Sequence, residues 1–281
     1  MPRIAYVNGA YVPLADAVLP IEDRATQFAD AVYEVWAVRK GKMMDVPGHF
    51  ARLERSLNEL RIAAPFTMGT LHVILRETMR RNKLVNGMVY LQISRGVAPR
   101  DHLFPANTKP SVVIIARPID VAGANRRAET GIAVITTPDI RWGRVDIKTV
   151  GLLPNVLAKQ AAKDAGVHDA ILVTADGIVT ECTSANLWIV DAKGVLRTHP
   201  VTNSILNGIT KRTVARLAQE RQIGLIEAEF TVKDALEARE AFMTSANAFV
   251  TPITRIDGHA IGTGTPGPIA LALRQAYIAE A

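Results

Sequence analysis

The chain has 281 residues, a length typical of two domains. Hydrophobic residues make up 48% of it and charged residues 21%, which excludes a disordered chain and allows substantial cores. The formal net charge of +6 suits either nucleic acid or small anionic ligands. The basic clusters at 80–83 and 126–127 are short and accompany no zinc-finger or RNA-binding motif, so we expect no nucleic-acid partner.

The sequence also carries no sign of a membrane or secretory protein. No apolar run approaches the length of a membrane span, and the first six residues lack the apolar core of a signal peptide. Cys182 is the single cysteine, which excludes an internal disulfide and fits a reducing compartment. We therefore expect a cytoplasmic protein with no membrane partner. The six histidines show no metal-binding spacing, so no metal site is predicted.

The first part of the chain contains two predicted helices and two predicted strands. Residues 47–60 form a helical pattern with Pro47 in the first turn and one apolar stripe. A second helix is predicted over 71–82. Residues 88–94 and 111–116 are rich in Val, Ile and Tyr and are typical of strands.

A polar stretch at 117–131, which contains Pro118 and Gly123, is the best candidate for a domain boundary. We expect an N-terminal α/β domain at 1–118, an interdomain linker at 119–131 and a C-terminal α+β domain at 132–281. In the last domain, strands are predicted at 132–137, 170–174 and 186–190, and helices at 154–165, 209–221 and 268–279. Helices and strands do not alternate strictly, so an α+β fold of two domains fits better than a doubly wound sheet.

Lys148 is the first residue that we consider for chemistry. It follows a short alternating apolar piece and precedes a helical pattern, so its amine could point into a cleft. On its own, a lysine at such a junction is more often a solvated surface residue. Two later segments accompany it, 179–188 with Thr180-Glu181 and Asn186, and 204–212 with Leu206-Asn207-Gly208-Ile209-Thr210.

Together these segments resemble the fold-type IV, or class IV, pyridoxal-phosphate-dependent aminotransferases. That family includes the D-amino-acid transaminases, the branched-chain aminotransferases and the aminodeoxychorismate lyases. Its pattern is a catalytic lysine, then Thr-Glu followed after four residues by Asn, then a Leu-x-Gly-Ile-Thr-Arg helix start. Markers in the first half extend the resemblance over nearly the whole chain: Asp23-Arg24, Gln27-Phe28, Val32-Tyr33-Glu34-Val35 and His49-Phe50-Ala51-Arg52-Leu53.

The resemblance implies pyridoxal 5'-phosphate as the cofactor. Lys148 is then the catalytic residue, which binds the cofactor covalently and moves a proton between the substrate Cα and the cofactor C4′. Glu181 would keep the pyridine nitrogen protonated, although alone it would be interpreted as an exposed turn carboxylate. An arginine and the N–H groups of a helix start suit a phosphate. The other cofactor-binding positions that the resemblance implies are Arg52, Leu206, Ile209, Thr210, Ser245 and Ala246.

The segment 94–102 resembles the Arg-Gly-x-x-x-Pro-Arg-x-His signature of the D-amino-acid transaminases. By resemblance, Arg100 and His102 reach across the interface of a homodimer and bind the substrate α-carboxylate with Tyr33. A guanidinium fork with two further donors suits a carboxylate. Without the family context, 100–102 would be an ordinary polar loop. Ala29 and Ala31 stand where the D-specific enzymes often have glycine, which bears on substrate breadth.

The sequence therefore predicts a homodimeric enzyme whose active site lies between two domains. Its substrates would be small amino acids and 2-oxo acids, with an amino group passing from a D-amino acid such as D-alanine to an acceptor such as 2-oxoglutarate. Two alternatives on the same fold remain open. One is a branched-chain L-amino-acid aminotransferase, and the other is an aminodeoxychorismate lyase, which would need no 2-oxo acid acceptor.

Overall fold

The computed structural model describes residues 3–280. The chain divides into two compact units. The first consists of the described residues up to Asp120 together with Ile147–Gly151, and the second of Val121–Asp146 and the residues from Leu152 onward. Each unit contains its own sheet, helices and hydrophobic core.

The first unit is built on one antiparallel sheet. Its strands are β1 (Ile4–Val7), β2 (Ala10–Pro13), β3 (Ala31–Arg39), β4 (Lys42–Met43), β5 (Gly87–Ser94) and β6 (Ser111–Pro118). They lie in the order β2-β1-β6-β5-β3-β4. The unit also contains a short 3-10 turn and three helices: Leu14–Asp16, α1 (Arg24–Phe28), α2 (Val46–Glu59) and α3 (Met68–Arg81).

The predicted helices and strands of this unit are confirmed to within three residues at each end. Helix α2 carries Pro47 in its first turn, as proline's missing N–H allows. Helix α3 begins earlier than predicted, because the Thr67 hydroxyl caps it by accepting the Thr70 N–H. The apolar stripes of both helices, including Leu57 and Leu75, are buried in the core of the unit.

Strand β3 is not among the predicted strands, although it is the longest strand of the sheet and pairs with both β5 and β4. Val32, Glu34, Trp36 and Val38 are all buried along it, while Tyr33 is only partly buried. The alternation has the period of a strand, but a glutamate occupies a position where an apolar residue is expected. That glutamate hides the strand from a search for alternating apolar residues.

The second unit contains a larger mixed sheet. Its strands are β7 (Ile132–Pro138), β8 (Asp169–Val173), β9 (Val179–Cys182), β10 (Asn186–Val190), β11 (Leu196–Thr198), β12 (Leu225–Glu227), β13 (Glu240–Ser245), β14 (Phe249–Ile256) and β15 (His259–Ala260). The order is β12-β11-β10-β13-β14-β7-β8-β9, with β15 beside β14. Because Glu181 on β9 also pairs with Asn186 on β10, the strands between them close into a ring.

The helices of this unit are α4 (Val121–Thr130), α5 (Leu153–Asp164), α6 (Ile209–Glu220), α7 (Val232–Leu236) and α8 (Pro268–Ala279). The predictions of α5, α6 and α8 and of β7, β8 and β10 are confirmed to within one residue at each end. The mixture of helices and strands in both units confirms the α+β fold class. Within residues 3–280, no helix is both long and apolar enough to cross a bilayer.

Helix α4 corrects the expectation of a linker at 119–131. Its sequence is polar, which suggested a boundary, but Gly123, Ala124 and Ala128 share a buried face. Small side chains let a helix approach a sheet closely, and α4 packs beside β14. Arg274 of α8 donates a hydrogen bond of 3.0 Å to Asn125, which ties the helix to the second unit.

Candidate active site

Lys148 lies in an irregular segment that belongs to the first unit. The Tyr33 N–H donates to the Lys148 carbonyl at 3.0 Å, and Thr149 forms a single β-bridge with Val32. The Lys148 N–H lies 3.4 Å from the Ser56 hydroxyl on helix α2. The piece before Lys148 is a series of turns and not a strand, so hydrogen bonds to β3 and α2 fix the backbone of this lysine.

The Lys148 amine lies 4.0 Å from the centroid of the Tyr33 ring. Among residues 3–280, no carboxylate pairs with this amine, which is unlike a structural lysine in an ion pair. The Tyr33 ring is 5.6 Å from that of Tyr90, and burial together with Tyr33 raises the pKa of Tyr90 to about 12. A half-buried amine on an aromatic surface, without a carboxylate partner, can form a covalent bond with an aldehyde.

Arg52 on α2 is held by Glu34 on β3. Its Nε donates to Glu34 Oε1 at 2.7 Å and its Nη2 to Oε2 at 2.9 Å, and His49 Nδ1 lies 2.7 Å from Oε2. Burial raises the pKa of Glu34, but Arg52 and His49 outweigh burial and lower it to about 2. Burial also lowers the pKa of His49, so the imidazole is neutral at pH 7 and donates through Nδ1.

Arg100 and His102 are brought together at Phe28. The Arg100 guanidinium lies 4.6 Å from the Phe28 centroid, and the His102 ring lies 5.4 Å from it. Arg24 anchors this loop by donating to the Asp101 carbonyl at 2.7 Å. Both predicted substrate residues are exposed. The structure therefore groups Arg100 with His102 and places Tyr33, their expected partner, beside Lys148.

In the second unit, Glu181 is buried on strand β9, which corrects the interpretation of an exposed turn carboxylate. Arg141 Nη1 donates to Glu181 Oε2, and Asn186 Nδ2 donates to Oε1 at 2.9 Å. Arg141 also pairs with Asp139 at 2.7 Å. Burial opposes charge at Asp139, but Arg141 outweighs burial and lowers its pKa. Sequence reasoning did not single out Asp139 or Arg141; their spacing of two residues was the available signal.

Helix α6 begins at Ile209 after Gly208, which caps it without a side-chain hydrogen bond. The first N–H groups of a helix have no partner within it, so those of Ile209 and Thr210 suit an anion. A Cβ on Gly208 would lie 2.0 Å from Asn186 Oδ1, so a larger residue there would displace the Asn186 side chain. Asn186 also donates to the Leu206 carbonyl at 2.9 Å, which fixes the loop in front of the helix.

Ser245 and Ala246 lie where β13 turns into β14. The Ala248 N–H donates to the Ser245 hydroxyl at 3.3 Å. Arg274 donates to the carbonyls of Ala248 and Val250, both at 2.7 Å, so the turn is fixed from helix α8. Ala246 has no side-chain hydroxyl, and any contact that it makes with an anion is through its backbone.

These groups match the chemistry of a phosphorylated pyridine aldehyde. The first unit supplies an amine without a carboxylate partner and an oriented guanidinium. The second supplies a carboxylate paired with Arg141 and a helix that begins after Gly208 with no side-chain cap. Each unit by itself therefore holds groups whose chemistry suits a part of pyridoxal phosphate: an amine suits its aldehyde, a carboxylate its ring nitrogen, and cationic and N–H donors its phosphate.

Comparison with known proteins then defines the class. The model of the family described as Amino-transferase class IV matches residues 31–256. This chain therefore belongs to the class IV aminotransferases and is a pyridoxal-phosphate-dependent enzyme that transfers amino groups.

Within that class, the chain is similar over almost its full length to curated D-alanine aminotransferases. The protein of Bacillus licheniformis is 40% identical over 262 residues, which are 93% of this chain and 91% of that protein. The protein of Listeria monocytogenes strain F2365 is 38% identical over 275 residues, 98% of this chain and 94% of that protein.

Among solved structures, the chain is similar to the branched-chain amino acid aminotransferase of Escherichia coli, with a TM-score of 0.92, 25% identity, and coverage of 99% of this chain and 94% of that one. The branched-chain aminotransferase of the archaeon Thermoproteus uzoniensis, solved with norvaline, has a TM-score of 0.88 and 26% identity, and the match covers 99% and 94% of the two chains. These likenesses confirm the fold-type IV architecture.

Proposed function

We propose that this protein is a D-amino-acid transaminase, which moves an amino group between a D-amino acid such as D-alanine and a 2-oxo acid such as 2-oxoglutarate. The observation that carries the proposal is identity of 40% with a D-alanine aminotransferase over 93% of the chain. The branched-chain enzymes of Escherichia coli and Thermoproteus uzoniensis are 25% and 26% identical to this chain. They share the fold, whereas the D-alanine enzymes share more of the sequence.

Lys148 is the residue to which we assign proton transfer. When bound, pyridoxal phosphate supplies an electron-withdrawing ring that acidifies the substrate Cα–H bond. The Lys148 amine would take the proton from that carbon and return it at the cofactor C4′. The hydrogen bond from the Tyr33 N–H and the hydrogen bond to the Ser56 hydroxyl hold the lysine backbone in place.

The remaining cofactor contacts are assigned by chemistry. Glu181, which is paired with Arg141, would keep a proton on the pyridine nitrogen. We assign the phosphate to Arg52, to the N–H groups of Ile209 and Thr210 with the Thr210 hydroxyl, and to the turn at Ser245 and Ala246. Leu206 would pack against one face of the ring.

Binding of the substrate carboxylate is assigned to Tyr33, Arg100 and His102. Arg100 and His102 share Phe28 as a common surface, so their relative positions are set before a substrate binds. A guanidinium and an imidazole side by side suit a carboxylate, and the guanidinium can bind it through two hydrogen bonds. The donor product leaves before the acceptor binds at the same residues, so we expect ping-pong kinetics.

We further propose a homodimer. Helix α5 exposes Leu153, Val156 and Leu157, of which Leu153 keeps 67% of its surface accessible. Trp142, before the helix, is also exposed, at 47%. Clustered apolar residues on a soluble protein mark a surface that another chain covers, and a second copy of the same chain is the commonest partner.

We also propose a cytoplasmic location. Cys182 is the single cysteine of the sequence, and it is buried. Burial raises its pKa well above the ordinary value, so the thiol is poorly reactive. A chain without disulfides is suited to a reducing compartment.

The decisive experiment is the visible spectrum of the purified protein loaded with pyridoxal phosphate, before and after an amino acid is added. We expect D-alanine to bleach the yellow band of the bound cofactor and L-leucine to leave it unchanged. Bleaching by L-leucine alone would assign the protein to the branched-chain group. Pyruvate release from aminodeoxychorismate without a 2-oxo acid would assign it to the lyases.

A further inference from the structure

Glu34 occupies a position in the first unit that the strand pattern reserves for an apolar side chain. It lies on β3 between Val32 and Trp36, both fully buried on the same face, and its own exposure is 0%. Its cross-strand neighbour on β5 is Leu91, which is also fully buried. Burying a carboxylate costs much more than burying a leucine, so packing alone does not explain a glutamate here.

The carboxylate of Glu34 is completely engaged by groups of helix α2. Arg52 donates to both of its oxygens, at 2.7 and 2.9 Å, and His49 donates to Oε2 at 2.7 Å. The contact uses the Nε–Nη2 edge of the guanidinium and so fixes the direction of the opposite, Nη1 edge. The pKa of Glu34, about 2, leaves the carboxylate ionised at neutral pH.

The same helix face connects Arg52 to the segment of Lys148. Ser56 follows Arg52 by one helical turn, so the two side chains lie on one side of α2. The Ser56 hydroxyl lies 3.4 Å from the Lys148 N–H. Glu34 therefore orients a guanidinium on the face of the helix that also holds the lysine backbone.

We propose that Glu34, with His49, is a positioning residue that aims Arg52 at the phosphate of the cofactor. Glu34 is fully buried and acts only through Arg52. This inference rests on the proposed function, which assigns Arg52 to the phosphate. It predicts that Glu34 matters for ligands that carry the phosphate and not for the pyridine ring itself.

The test compares the affinities of the apoenzyme for pyridoxal 5'-phosphate and for pyridoxal, which lacks the phosphate. In Glu34→Gln, we expect the affinity for the phosphorylated ligand to fall about tenfold, the size expected for a mis-oriented charge-assisted hydrogen bond. Affinity for pyridoxal should stay within about twofold. Equal losses for both ligands, or no loss for either, would overturn the proposal.

Glu77→Gln is the matched control. Glu77 also accepts hydrogen bonds from two arginines, Arg80 and Arg81, but it lies at the surface of α3. We expect no change in either affinity. Glu34→Asp provides a second variant, because it keeps the charge and withdraws the carboxylate by one methylene group. Like Glu34→Gln, it should lower the affinity for pyridoxal 5'-phosphate relative to that for pyridoxal. Failure of both Glu34 variants to fold would count against a positioning role.

Arg52→Ala separates this inference from the proposed function. If Arg52→Ala weakens the phosphorylated ligand selectively and Glu34→Gln does not, Arg52 contacts the phosphate but Glu34 does not position it. If Arg52→Ala leaves the ratio of affinities unchanged, the assignment of Arg52 to the phosphate is itself wrong.

Discussion

Two buried carboxylates, Glu34 in the first unit and Glu181 in the second, are each paired with an arginine, but their surroundings differ. Glu34 has no exposed surface, and both of its partners lie on one packed helix. The Glu181 side chain keeps 7% exposure, and its partner Arg141 is anchored in turn by Asp139. In an arginine–carboxylate pair, either residue can therefore be the one that the other holds in place. Under the proposed function, Glu34 supports an arginine, and Arg141 supports a carboxylate.

Replacing Lys148 should reduce turnover more than replacing either carboxylate. In Lys148→Ala, we expect kcat to fall by at least about a thousandfold, within the range for a positioned general acid–base group, and the yellow band to disappear. Lys233→Ala, at a side chain with 82% exposure, is the control. Turnover near the wild-type rate in Lys148→Ala would refute its role.

Replacing each carboxylate with its amide should have different effects on kcat. Glu181→Gln should lower kcat by about a hundredfold at saturating pyridoxal phosphate, because the ring nitrogen loses its carboxylate partner. Under the same conditions, Glu34→Gln should keep kcat within about threefold. Steady-state kinetics at saturating cofactor measure both. Equal effects on kcat would remove the distinction between the two pairs.

A smaller effect on catalysis is expected from Arg100, which belongs to neither pair. Arg100→Ala should raise KM for the amino acid by about tenfold or more, since a charge-assisted hydrogen bond contributes about 1.5–3 kcal/mol. Affinity for pyridoxal phosphate should not change. Arg80→Ala, with 72% of its side chain exposed, is the control. An unchanged KM would contradict the carboxylate role.

The Glu34 pair should also make the free energy of unfolding depend on pH. The pKa of Glu34 is lowered from 4.5 to about 2, so its pair stabilises the fold fully above about pH 5 and loses this as the pH falls towards 2. The shift corresponds to about 3 kcal/mol. Urea unfolding of the wild type and of Glu34→Gln at pH 7 and at pH 3 measures this loss of stability. Arg52 and His49 are the charged or titratable groups that face Glu34.

If the difference in unfolding free energy between wild type and Glu34→Gln were the same at both pH values, the low pKa would be wrong. Glu77→Gln is again the control. The pKa of Glu77 is also lowered to about 2, by Arg80 and Arg81, but its surface position leaves the pairing screened by solvent.

The elements that could be predicted from the sequence are those whose apolar residues repeat with one period. Helices α2, α3, α5, α6 and α8 meet that condition. Strand β3 does not, because Glu34 interrupts its apolar face, and α4 does not, because its buried face consists of small residues in a polar sequence. The structure of β3 and of α4 depends on pairing or close packing with strands that are distant in the sequence. Such contacts cannot be seen in a short stretch of sequence.

The candidate site divides in the same way. Lys148, Glu181 and the start of α6 stand in short local motifs, so resemblance could identify them. Glu34 pairs with Arg52, 18 positions away, and Arg141 pairs with Glu181, 40 positions away. No repeat of apolar residues in the sequence indicates such a contact. Resemblance placed Glu34 among the family markers, but only the hydrogen bonds suggest what it does.

The crossing of the chain at Ile147–Gly151 has a consequence for synthesis on the ribosome. This short segment lies in the first unit, where Ile147 is part of the core and Val150 donates to the Ala31 carbonyl at 3.1 Å. The first unit is therefore incomplete when residue 120 emerges. It must wait for the start of the second unit to be translated, and the last piece to arrive carries Lys148. A nascent chain cannot complete this unit before Lys148 is in place.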